Sequence, residues 1–80
     1  MKLSKAVDGI KGKVFVTVKS KFSPKDYIEY DPDTDVIKRD VDVFDFSTRI
    51  IDDGDSRYTY FSCCTFEPLS NIVERKSSNQ

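Results

Sequence analysis

Two acidic turn signatures cut this chain into short runs rich in residues that favour strands. The first, expected to close a hairpin, is Tyr30-Asp31-Pro32-Asp33-Thr34-Asp35. Its proline presets φ at the second turn position, and its Asp and Thr side chains bond to nearby backbone. The second is Asp52-Asp53-Gly54-Asp55-Ser56, where Gly54 supplies the positive φ that a tight hairpin requires. Between residues 13 and 22, Val14, Val16 and Val18 alternate with Phe15, Thr17 and Lys19, the two-residue period of a strand. Ser23-Pro24-Lys25 is a turn, and residues 26–30 form a second short strand.

A third strand is expected from Val36 to about Phe46, but its period slips. Ile37, Val41 and Val43 share one face, while Phe44 and Phe46 share the other. A β-bulge near Val43-Phe44 would bring all five inward and send Asp40, Asp42 and Asp45 outward together. A fourth strand begins at Thr48–Ile51, and residues 57–66 form a fifth. Residues 69–76 fit either a final strand or a short helix opened by Pro68. At the other end, Leu3, Val7 and Ile10 make one helical stripe, with Ser4 as its cap and Gly9 and Gly12 as stop signals.

The expected fold is therefore α+β and β-rich. A short N-terminal helix precedes a five- or six-stranded antiparallel meander, which either closes into a small SH3-like or OB-like barrel or stays open under the helix. Residues 1–76 form a single domain, and residues 77–80 a flexible tail. Although 34% of the 80 residues are charged, six Phe and four Tyr suffice for a small core, so the chain is read as folded.

The chemistry of most enzymes is missing. There is no histidine, which removes the commonest general base and metal ligand. The glycines at 9, 12 and 54 fit no phosphate-binding loop. Cys63 and Cys64 are adjacent, so they point to opposite sides of a strand and form neither a relaxed disulfide nor a zinc site. Two free thiols and no apolar leader or membrane span imply a reducing, cytoplasmic setting, that of the host cell if the protein is viral. Asp31-x-Asp33-x-Asp35 resembles the start of an EF-hand calcium loop, but Val36 stands in place of the turn glycine and Asp42 in place of the bidentate Glu. Pro32-Asp33 with Glu74-x-Lys76 resembles the acid–acid–lysine set of metal-dependent nucleases, without the αβ core those enzymes use. No catalytic residue, cofactor or metal is expected.

Charge is segregated along the chain. Residues 1–25 hold seven lysines against one aspartate, and residues 26–55 hold eleven acids against three bases. The leading expectation is a protein-binding inhibitor, its contact surface made of Asp31, Asp33, Asp35, Asp40, Asp42, Asp45, Asp52, Asp53 and Asp55 with Tyr58 and Tyr60. Such an acidic face would imitate a nucleic-acid backbone and occupy a basic groove of its partner. In general character the chain is similar to small virus-encoded inhibitors of host defence or of host nucleic-acid-handling enzymes. The alternative is a small barrel that binds single-stranded nucleic acid through Lys11, Lys13, Lys19, Lys21 and Lys25. A third expectation is an assembly component that joins a neighbour, or a second copy, by edge-strand addition.

Overall fold

A computed structural model describes residues 1–76; the expected tail, 77–80, lies outside the described residues. The chain runs α1 (Leu3–Asp8), β1 (Val14–Ser20), β2 (Tyr27–Tyr30), β3 (Asp35–Ile37), β4 (Phe44–Asp53), β5 (Ser56–Thr65), a 3₁₀ turn (Leu69–Asn71) and β6 (Val73–Arg75). It is a small, sheet-rich α+β structure with one short helix.

The strands form a four-stranded sheet in the order β2-β1-β5-β4 and a two-stranded ribbon, β3-β6. The hairpins β1–β2 and β4–β5 are antiparallel, as expected, but β1 and β5 are parallel, with Val14 beside Thr59 and Ser20 beside Thr65. The meander is thus broken in the middle. Composition explains which strands are central. β1 is apolar or small on both faces over Val14–Val18, and β5 carries Tyr, Phe, Ser, Cys and Thr; both tolerate neighbours on each side. Charged β4 and short β2 take the edges. With two open edges, the sheet does not close into a barrel.

The expected hairpin at Asp31–Asp35 is a turn of another kind. Asp35 N–H donates to the Asp31 carbonyl (2.8 Å), Asp33 N–H to Asp31 Oδ1 (2.9 Å), and Asp31 N–H to Asp35 Oδ2 (2.7 Å). This closed turn steers the chain off the sheet, so β3 pairs with β6 and not with β2. The expected third strand ends at Ile37. Residues 41–43 pair instead with the N-terminus, through Leu3 N–H to the Val41 carbonyl (2.9 Å) and Val43 N–H to the Met1 carbonyl (2.7 Å). Residues 69–76 are both things anticipated, a 3₁₀ turn and then a strand.

Two local details also differ. Helix α1 has Lys2 at its cap position with no side-chain bond; Ser4 N–H (3.0 Å) and Ser4 Oγ donate to the Asp40 carboxylate, brought in from 36 residues away. The bulge exists, but lies between Phe44 and Ser47, where Asp45 takes φ 56°. The core occupies the inner face of the sheet: Val14, Val16 and Val18 of β1, Phe61 and Cys63 of β5 and Tyr30 of β2, closed by Leu3 and Val7 of α1, Val41, Val43 and Ile72. Gly54 has φ 66° at the first position of the two-residue β4–β5 loop, which only a residue without Cβ adopts freely.

Candidate functional site

Among the described residues, no helix covers the outer face of the four-stranded sheet. Alternation sends Phe15, Thr17 and Lys19 of β1 to this side, and the register places Tyr60, Ser62 and Cys64 of β5 beside them. Tyr27 and Glu29 of β2 and Arg49 and Ile51 of β4 complete it. Aromatic rings dominate its centre. Phe15 and Tyr58 meet edge to face, with centroids 4.8 Å apart, and Lys13 Nζ sits 5.1 Å from the centroid of Phe15. Thr17 Oγ1 and the Tyr60 hydroxyl share a hydrogen bond of 2.7 Å, which lets a threonine be buried on this face and holds the Tyr60 ring.

Beside these rings the turn after β2 and strand β6 raise a wall. Asp35 is 3% exposed and would carry an unmatched charge alone; Arg75 Nη1 donates to both its carboxylate oxygens, at 2.9 and 2.8 Å. Arg75 Nη2 also donates to the Glu29 carbonyl (2.6 Å), tying the ribbon to the edge of the sheet. Between wall and rings lies an open pocket of about 440 Å³, lined by Phe15, Tyr58 and Tyr60 on one side and Glu29, Asp31 and Arg75 on the other. Tyr30 belongs to the core, and its phenol is pushed above its ordinary range by burial and then by the carboxylates of Asp35, Asp31 and Asp40. The Arg75 charge is matched by Asp35, and Glu29 and Asp31 are the acidic residues of the lining.

The aspartates fall in four places. Asp31, Asp33 and Asp35 make the turn after β2, and burial of Asp35 against Arg75 removes it from any contact surface. Asp40 and Asp42 precede β4 and do not share a strand face with Asp45. Asp40 is bound to Ser4, and Asp42 lies 3.8 Å from both the N-terminal ammonium and Lys2 Nζ. Asp52, Asp53 and Asp55 ring the tip of the β4–β5 hairpin, and Asp45 stands at the far end of β4, about 26 Å away along the strand. Of the expected contact residues, Asp31, Tyr58 and Tyr60 are brought together. Of the lysines, Lys13 and Lys19 flank Phe15 on the outer face, whereas Lys11 precedes β1 and Lys21 and Lys25 follow it.

Glu29, Thr17 and Arg75 were missed as site residues. Alternation along β1 and β2 already put Thr17 beside Phe15, and that signal was available. Arg75 meets Asp35 across 40 residues of sequence, and nothing local announces it. Cys63 is buried, its thiol pushed up to about 12 by burial and by Cys64, and it is inert as a nucleophile at neutral pH. Among the described residues, no helix is long and apolar enough to cross a membrane. No protein-family model, no curated protein and no solved structure matches the chain.

Proposed function

We propose that this protein is a non-enzymatic protein-binding module, and that it holds a cationic side chain of a basic partner in the outer-face pocket. One observation carries this reading: two acidic residues, Glu29 and Asp31, and three aromatic residues, Phe15, Tyr58 and Tyr60, border a single concavity. Ring faces and carboxylates together are what an arginine or lysine side chain seeks. Tyrosine and phenylalanine also give a contact surface large rigid area at little entropic cost. The exposed aspartates of the two turns then add long-range attraction at the rim and speed encounter. A partner with a basic groove for nucleic acid suits this arrangement, and occupation of that groove would make the module an inhibitor.

One observation favours the alternative: Lys13 and Lys19 bracket Phe15 on the same face and make no ion pair among the described residues. That spacing of cations and a ring suits single-stranded nucleic acid. A single experiment separates the two. Amide shifts of ¹⁵N-labelled protein are followed during titration with an oligoarginine peptide and, separately, with oligothymidylate. The expected result is that the peptide perturbs Phe15, Glu29, Tyr58 and Tyr60, less so at high salt and in E29Q. Perturbation by the oligonucleotide alone, centred on Lys13 and Lys19, would transfer the function to the lysine strand.

A further inference from the structure

Among the described residues, strand β4 is the longest unpaired edge of the fold: ten residues whose only strand neighbour is β5. The Asp45 bulge interrupts it at one end and the Gly54 turn at the other, leaving a regular run from Phe46 onward. Free backbone donors and acceptors along such an edge are a template for another strand. Phe46 and Ile50 sit on the inner-face side of this edge, yet are 43% and 58% exposed, because the core stops short of β4.

We infer that β4 pairs with β4 of a second copy of this chain, antiparallel and centred on Thr48. A two-fold axis perpendicular to the sheet keeps each face continuous across the junction, so residues opposite one another must share a face. Centring on Thr48 sets Phe46 opposite the partner's Ile50 and Ile50 opposite the partner's Phe46, so both exposed apolar side chains find a mate. Thr48 meets itself, a favourable cross-strand pair, and Arg49 lies opposite the partner's Ser47 without like-charge opposition. Neighbouring registers are worse. Centring on Arg49 opposes two arginines, centring on Ser47 runs the pairing into the Asp45 bulge, and centring on Ile50 leaves Phe46 opposite a glycine. Of these four registers, the one centred on Thr48 is the most complementary.

The dimer has an eight-stranded continuous sheet, twice the four of one chain, with both outer faces on the same side. The two β1 strands are then about 24 Å apart, at about 4.8 Å per strand. The pairing does not depend on what the pocket binds, but it would present two pockets to one partner and raise affinity through effective concentration. A five-residue junction is small, so association is weak and depends on concentration.

Sedimentation equilibrium over a wide concentration range tests this, with the fold of each variant checked by circular dichroism. Thr48 is exposed, so substitutions there leave the fold intact. The wild-type chain is expected to move from monomer to dimer. Thr48→Lys and Thr48→Glu each place a charge opposite itself and are expected to weaken self-association about tenfold or more. An equimolar mixture of the two variants is expected to recover the dimer, because lysine then faces glutamate. A wild-type chain that stays monomeric, a dimer indifferent to T48K, or a mixture that does not recover would each overturn the inference.

Discussion

At the scale of single residues, the Asp35–Arg75 pair is the contact on which most depends. It neutralises a buried carboxylate, fixes the turn after β2 and joins the ribbon to the sheet. Arg75→Met leaves that carboxylate with only the Asp31 N–H, and is expected to lower stability by about 2–3 kcal/mol, read from the urea midpoint. For a domain whose total is on the order of 5 kcal/mol, this is a large fraction. Cys63 and Tyr30 make a second prediction. Both hold their protons to higher pH in the folded chain than in the unfolded one, whose ordinary values are 9.0 and 10.0. The unfolded state therefore loses protons first as pH rises, and stability falls from about pH 9 upward. Urea midpoints measured from neutral to alkaline pH check this, and Tyr30→Phe should remove the part of the fall that begins above 10. By the same burial, Ellman's reagent is expected to leave Cys63 unmodified until the protein is unfolded.

At the scale of elements, the bulge in β4 decides which side chains face where. Asp45 at φ 56° absorbs the extra residue, after which Phe46 reaches Phe61 (centroids 5.5 Å apart) on the inner side, while Phe44 stacks on Phe66 (4.8 Å). Aspartate tolerates this backbone better than most residues, and glycine better still. Asp45→Gly is therefore expected to be neutral or slightly stabilising, whereas Asp45→Val should cost about 1–2 kcal/mol. Thermal melts of the two variants read the difference. The bulge also ends the straight edge of β4, which limits the register in which a second strand can add to it.

At the scale of the whole molecule, the sheet is closed in its middle by its most distant pairing. β1 must find β5, Val14 beside Thr59, with β2, β3 and β4 lying between them in sequence. Non-local parallel pairing of this kind is slow, so refolding is expected in the range of about milliseconds to seconds, in stopped-flow dilution from urea. The same closure forms the pocket. Phe15, Glu29, Tyr58 and Arg75 lie on four strands and meet only once β1, β2, β5 and β6 are in place. Binding of oligoarginine and global stability should therefore be lost together on denaturation.

Alternation, turn residues and the helical stripe were local, and they located the helix, the β4–β5 hairpin, the turn between β1 and β2, the bulge to within two residues and the strand character of most of residues 13–22 and 57–66. They also placed Phe15, Thr17 and Lys19 on one face of their strand, and Tyr58 with Tyr60 on one face of theirs, because side-chain direction in a strand depends only on parity. Parity does not say which strands are neighbours. The parallel union of β1 with β5, the pairing of β3 with β6 and the burial of Asp35 on Arg75 were decided by competition among edges for apolar partners, over separations of 45 residues in the first case and 36 to 40 in the others. The nine aspartates looked like one acidic surface along the chain. Tertiary structure distributed them among a turn, a helix terminus, a bulge and a hairpin tip, because each bonded to the nearest donor that the folded backbone brought within reach or remained in water.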